Sequence, residues 1–361
     1  MIRLAKPIVK LIVEEYGTQE FLKRVADPYW FQALGCALGY DWHSSGVTTV
    51  LTAVLKAAIN SQNIGIAVCG GKGKYSLNTL DEIEREGLKL GISARRVEEL
   101  KLLSRLIAKV DNAALQDGYV LYHHAFIFDE YGKWVVVQQG MNPLIKYARR
   151  YHWFSLEFEK LLNDPHSGII TSRREKYVLN LASKESQEAR RTVLDLAKEN
   201  PIKIRRLFKQ TYGVLKRKEL KNLDITHFTS GTDRPAEMPV LEKYTYLKEL
   251  YMPRDIDWSV LKRVYDYDPR DFRELLMIKG IGARTLRALS LIAELIYGTP
   301  VSWRDPAKFS FAFGGKDGVP FPVDVKAMDE AFRFMENIVN ALKIEKRRKR
   351  EILRRLLIIK E

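Results

Sequence analysis

Residues 41–46 read Asp41-Trp42-His43-Ser44-Ser45-Gly46, so a carboxylate, an imidazole and two hydroxyls fall within a few residues of one another. They stand just before a stretch with helical apolar spacing, residues 47–59, with Thr48 and Thr49 in its first turn. A helix N-terminus adds the positive end of a dipole, so this segment has the parts for general acid/base or metal-assisted work. Five of the six histidines, His43, His123, His124, His152 and His166, lie in the first half of the chain. His123 and His124 are adjacent in a stretch rich in aromatic and β-branched residues. As neighbours on a strand they must point to opposite faces, and only one can line a given cleft. Across the hairpin they meet Gln138 and Gln139, a density of polar groups that is costly to bury without purpose. Gln116-Asp117 precedes this hairpin and Arg149-Arg150-Tyr151-His152 follows it, so the three segments are expected to converge at one end of the sheet.

The catalytic candidates are therefore Asp41, His43, Ser44, Asp117, His123, His124, Gln138 and His152. Asp41, His43 and Asp117 are the candidate ligands of a divalent ion, Mg or Mn, with Arg149 or Lys72 steadying a phosphate. A metal-free variant uses His43 with His123 or His124 as acid and base. Gly70-Gly71-Lys72-Gly73 after a short strand, residues 64–69, reads as a loop that touches a phosphate backbone. It lacks the spacing and the Ser or Thr of a nucleotide-hydrolysing loop, and no nicotinamide or flavin motif occurs.

A second constellation lies at 268–298. Asp268 is expected to cap a helix that starts at Pro269 and runs through Leu275, Leu276 and Ile278. It stops at Lys279-Gly280-Ile281-Gly282, and an apolar helix begins at Ala283. Exposed amides at such a turn bind phosphate oxygens, aided by Lys279, Arg284 and Arg287, while Ile281 plugs the turn into the core. Leu276, Gly280, Ile281, Gly282, Thr285 and Leu289 fall where a helix-hairpin-helix of DNA repair and replication proteins has its key residues. The motif grips backbone, which predicts weakly sequence-specific, salt-sensitive DNA binding.

The charge agrees with a polyanionic partner. The chain of 361 residues carries a formal charge of +15. Residues 173–221 hold fifteen Lys or Arg against six acids, and residues 343–361 nine against three, so the remainder is neutral. Lys346 and Arg347 open the second run and are candidate DNA contacts. Two cysteines without ligand spacing, the lack of a signal-like start and the absence of a long apolar run predict a cytoplasmic, soluble protein without membrane contact. Abundant Lys, Arg and Glu suit a thermophile.

These parts imply an α+β fold: a helix-covered, mainly antiparallel sheet domain over residues 1–170, a basic helical connector over 171–235, and an all-α domain over 236–361 with the hairpin and a basic C-terminal helix. Residues 4–16 and the segment from Thr18 onward read as helices separated by Gly17, and 80–90 and 94–110 as two more. Strands are expected at 119–128 and 133–139, joined by Glu130-Tyr131-Gly132.

The phrases DPYWFQALGCALGYDWHSSGVTTV, VCGGKGK, LQDGYVLYHHAFIFDEYGKWVVVQQGMN, ARRYHW, GIGARTLRALSLIAELIYG and SWRDPAKFSFAFGGKDGVPFPVD resemble the archaeal and bacterial family known as domain of unknown function 763. The resemblance spans nearly the whole chain. It implies a nuclease-like domain joined to a helix-hairpin-helix module, with structure-specific or single-strand-preferring endonuclease activity in DNA repair or processing. It marks Asp41, His43, Ser44, Ser45, Thr48, Gln116, Asp117, His123, His124, Gln138, Arg149, Arg150 and His152 as matching family motifs. Repair helicases or nucleases are the protein partners it suggests. Two other readings compete. A noncatalytic scaffold would bind DNA without turnover. A helix-hairpin-helix glycosylase could use Val323-Asp324, but Arg284 stands where a lyase-type enzyme has its amine nucleophile.

Overall fold

The computed structural model describes residues 1–40, 46–156, 161–226, 252–308 and 325–357, with side chains described except at 216–226 and Val325. Asp41, His43, Ser44, Ser45 and the Val323-Asp324 pair lie outside these residues. The architecture is α+β, with one five-stranded antiparallel sheet enclosed between two helical layers.

The chain enters as helix α1, Ile2–Ala26, in which Gly17 (φ 86°) breaks the helical geometry at the punctuation the sequence predicts. Asp27 caps α2, Pro28–Ala37, by accepting from Tyr29 N–H with Pro28 in the first position. Helix α3, Val47–Ile59, leads to β1, Ile66–Lys72. Here the structure departs from expectation, because Gly70, Gly71 and Lys72 continue the strand instead of forming a loop. Gly70 adopts φ +87°, and a β-carbon there would lie 2.2 Å from the His124 carbonyl oxygen. Only glycine lets the edge strand pass so close.

After α4, Lys74–Leu77, and α5, Thr79–Lys89, comes α6, Ala94–Lys109, which ends in one π-helical turn, Val110–Ala114. A short β2, Leu115–Gln116, precedes the predicted hairpin, β3 Val120–Asp129 and β4 Trp134–Met141. Asp129 Oδ1 accepts the Tyr131 and Lys133 amides and so fixes the turn. His123 pairs with Gln139 and His124 with Gln138, the register the alternation requires. Strands β5, Ala148–Phe154, and β6, His166–Thr171, complete the order β1-β3-β4-β5-β6. The short β7, Leu179–Asn180, pairs with β2.

Two apolar clusters fill the spaces on either side. One joins α1, α2 and α3 to Val68, Ile127, Val135 and Val137 of the sheet, and takes in Met335, Ile338, Ile352 and Leu356 from α12, Val325–Ala341, and α13, Lys346–Leu357. The other joins Phe126, Val136, Tyr151 and Trp153 to α6, α7 Gln187–Ala197, α8 Pro201–Thr226, α9 Trp258–Tyr267, α10 Phe272–Met277 and α11 Ala283–Ile296. Both clusters draw on residues far apart in sequence, so neither is confined to one of the three expected segments. Residues 173–183, expected to be helical, run as loop and the β7 bridge.

Candidate functional site

The sheet presents polar side chains on both faces, and alternation assigns each one to a side. On the face toward α1–α3 stand His123, Gln139, Arg150 and His152. His123 reaches Thr52 Oγ1 through Nε2 at 3.1 Å. The Thr52 hydroxyl already donates to the Thr48 carbonyl at 2.8 Å, so His123 Nε2 carries the proton and donates. Its Nδ1 lone pair is left buried without a partner. Burial, then His124 and Lys72, pull this imidazole down to about 3. His152 donates from Nδ1 to the Val25 carbonyl at 3.1 Å, which leaves Nε2 buried without a partner as well. Burial and then Arg150 hold His152 well below the usual imidazole value, so both rings are neutral near pH 7.

Between them Arg150, 1% exposed, donates from Nη1 to Gln32 Oε1 at 3.0 Å and to Thr48 Oγ1 at 3.4 Å, with its guanidinium 4.6 Å over the Phe31 ring. Burial lowers Arg150 to about 9, which still leaves it charged at neutral pH. Thr48 lies in the first turn of α3, whose N-cap Gly46 offers no side chain to its amides. A buried cation thus sits directly under the helix start that follows residues 41–45. At the strand edge, exposed Lys72 pairs in register with His123.

The opposite face holds two networks. In the first, Ser104 Oγ donates to His124 Nε2 at 2.8 Å and His124 Nδ1 to Gln138 Oε1 at 2.8 Å. Gln138 Nε2 donates in turn to Asp111 Oδ2 at 2.5 Å, and Asp111 also accepts from Trp153 Nε1 and His166 Nε2. His124 is neutral chiefly because it is buried. In the second, Arg149 grips Asp305 with two parallel bonds of 2.9 and 2.7 Å and reaches Asp117 at 3.1 Å. Asp117 also accepts from the Tyr151 hydroxyl at 2.7 Å and the Tyr119 amide at 3.1 Å. Burial alone would favour a neutral Arg149, but Asp117 and Asp305 raise it above its ordinary value.

These placements revise the sequence expectations. Asp117 does meet the Arg149–His152 segment, and Arg149 ties β5 to Asp305 of the Ser302-Trp303-Arg304-Asp305 strip. Every Asp117 oxygen is committed to protein donors, and Arg149 is 0% exposed, so neither reaches a ligand. His124 and Gln138 are enclosed in their own network, on the face away from His123. Arg150 is likewise enclosed and cannot touch a DNA phosphate in this conformation. Gln32, Thr52 and Gln139, which sequence reasoning did not single out as site residues, complete the His123 face. The hairpin register expected from the sequence already sets Gln139 beside the histidines, as observed, whereas nothing in the sequence marks Gln32. Among the described residues no three His, Cys, Asp or Glu side chains gather into a metal-holding set.

The third locus is the turn between α10 and α11. Asp268 does not cap α10; it closes α9 in the left-handed conformation, φ 52°. As the residue before Pro269 it is disfavoured in the α region, and Asp271 becomes the cap, accepting from Arg273 and Glu274 amides. The turn itself is as expected: Gly280 has φ +98°, Ile281 donates to the Ile278 carbonyl at 3.1 Å, and Ile281 is buried. Lys279 and Arg284 are exposed, and Lys109 and Arg263 converge on the same turn, donating to the Ile281 and Lys279 carbonyls at 2.8 and 3.1 Å. Helix α11 begins at Gly282 with no side-chain cap. Thr285 is buried, and Arg287 donates to Gln116 Oε1 at 2.7 Å, so both serve packing more than a ligand. A groove of ≈ 1200 Å³ beside the turn is lined by Arg263, Tyr267, Arg270, Met277 and Lys279. Lys346 and Arg347 stand exposed on α13.

The family described as "Protein of unknown function (DUF763)" matches residues 1–323. No curated protein and no solved structure matches the chain. No helix among the described residues is long and apolar enough to cross a membrane.

Proposed function

From the premise that the chain belongs to the DUF763 family, we propose that it is a DNA-binding phosphodiesterase, an endodeoxyribonuclease of DNA repair or processing. The observation that carries this reading is the His123 face. Two neutral imidazoles keep unshared electron pairs in a buried layer around the Arg150 cation, beneath the start of α3. Such atoms are expensive to leave unsatisfied, and a ligand or a reacting water is the economical explanation.

In this reading His123 Nδ1 accepts a proton from water or serves as a nitrogen ligand, and Lys72 at the strand edge meets the phosphate. Asp41 and His43 supply the oxygen and nitrogen donors that Mg or Mn needs, and Ser44 a further polar group. When bound, such an ion supplies Lewis-acid stabilisation of the phosphate. The described donors fit in kind: a neutral imidazole suits Mn better than Mg, which favours oxygen. Arg150 acts through Thr48 and Gln32, holding the start of α3 against the sheet. The α10–α11 turn, with Lys279 and Arg284, grips the backbone away from the chemistry.

Purified protein incubated with end-labelled single-stranded, duplex and bubble DNA in Mg, Mn or EDTA tests the reading. Nicking that EDTA abolishes supports the metal-assisted form, and EDTA-resistant nicking supports His-based acid/base chemistry. Salt-sensitive binding with no cleavage under any condition supports the scaffold reading instead, which the enclosure of Arg150 at 1% exposure favours.

A further inference from the structure

The face of the sheet turned away from His123 carries a second arrangement that the proposed chemistry does not use. Asp111 is fully buried in the π-helical turn, a distortion frequent at functional sites. Its Oδ2 accepts from Gln138 Nε2 at 2.5 Å and Trp153 Nε1 at 2.8 Å, and its Oδ1 from His166 Nε2 at 2.6 Å. The chain behind Gln138 has one polarity. Ser104 donates to His124 and His124 to Gln138, so every link of the chain points its donor toward Asp111. Gln138 and Trp153 donate to one oxygen of this carboxylate and the His166 ring faces the other.

His166 differs from His124 in position. Its ring, 7% exposed, lines a cavity of ≈ 330 Å³ together with Asp164, Asn180, Pro306 and Lys308. With Nε2 directed to Asp111, Nδ1 has no hydrogen-bond partner among the described residues. Lys308 is exposed at the cavity wall, and one oxygen of Asp164 accepts the Lys184 amide at 3.2 Å. The volume is at the small end of ligand pockets, about 300–1,000 Å³, and fits one small molecule or one strand end but not a duplex.

We propose that this cavity is a second ligand site, in which the Asp111–His166 pair and Lys308 bind a phosphate monoester. Asp111 Oδ1 accepts from His166 Nε2 and so orients the ring, His166 Nδ1 accepts from a P–OH group of the monoester, and Lys308 supplies the positive charge. The monoester has two sources, a free nucleotide or the phosphorylated end of a DNA strand. The site stands independently of the nuclease reading, since binding requires no cleavage.

The test uses full-length protein with ¹⁵N-labelled histidine, the His166 ring signal being assigned by its loss in His166→Gln. Inorganic phosphate, a 5′-mononucleotide, and one oligonucleotide with either a 5′-phosphate or a 5′-hydroxyl are titrated in separate arms. Saturable movement of the His166 signal by a phosphorylated probe is expected, weakened roughly tenfold by Lys308→Ala, about the value of one charge-assisted hydrogen bond. Saturation by the mononucleotide identifies a free ligand; saturation confined to the 5′-phosphorylated strand identifies a strand end. No saturable movement with any probe at millimolar concentration, or unchanged affinity in Lys308→Ala, overturns the proposal. Lys308 is exposed, so this variant leaves the core intact.

Discussion

Replacing Arg149 by leucine removes the cation from a site where its side chain is 0% exposed and its two carboxylate partners, Asp117 and Asp305, are 1% and 4% exposed. The variant strands two buried negative charges at once. Breaking one buried pair by deleting a partner costs about 3–5 kcal/mol, and here the bidentate grip on Asp305 is lost together with the bond to Asp117. With a urea m-value of about 3 kcal/mol per M, the midpoint of unfolding drops by about 1–1.7 M. Adding Asp117→Asn and Asp305→Asn to Arg149→Leu recovers much of this, because no uncompensated charge then remains. DNA affinity of the folded variant should stay within about twofold of the parent, a difference of about 0.4 kcal/mol. An unchanged urea midpoint, combined with a loss of DNA affinity, would refute the structural role and return Arg149 to the surface of the ligand.

Three further outcomes follow from the same geometry. Lys279→Ala with Arg284→Ala should weaken binding similarly on all DNA sequences and reduce the slope of log K against log salt by about 2, measured by anisotropy titration. His123 and His152 are held neutral in the fold below the unfolded value of 6.5, His123 at about 3. The unfolded chain therefore binds protons first, and the stabilisation is present above pH 6.5 and lost as pH falls below it, for His123 down to about 3, by about 1.4 kcal/mol per pH unit for each ring. His123→Gln should flatten the stability profile between pH 6 and 5 by about one proton, as read from urea midpoints. Gly70→Ala, with a β-carbon 2.2 Å from the His124 carbonyl and φ +87°, should lower the melting temperature by several degrees and speed amide exchange in β1.

How far the sequence reveals this arrangement depends on the range of the interactions. The β3–β4 hairpin and its register were legible because alternation and the Glu130-Tyr131-Gly132 turn are local signals. The same alternation separates His123 from His124. The α10–α11 turn was legible because Gly280 and Gly282 flank one buried Ile281. Arg149 and Arg150 misled, since adjacent arginines read as surface charge, whereas β5 lies inside the sheet with both faces covered. Asp305 neutralises Arg149 from 156 residues away, a pairing no local pattern encodes. Asp111 likewise sits on a helical continuation of α6 and meets His166 only through the fold. The packing of α12 and α13 into the cluster of α1–α3 is a long-range contact that amphipathic spacing alone cannot direct to a partner. Asp41, His43 and Ser44 lie outside the described residues.

The most direct test of the central claim compares His123→Gln with His124→Gln, adjacent substitutions on opposite faces of one strand. Cleavage of labelled single-stranded, duplex and bubble DNA is measured per folded molecule in Mg and in Mn, with DNA affinity determined in parallel. His123→Gln is expected to abolish cleavage at unchanged affinity, while folded His124→Gln retains it. Full cleavage by His123→Gln, or its loss only in His124→Gln, would contradict the assignment of the chemistry to the face beneath α3.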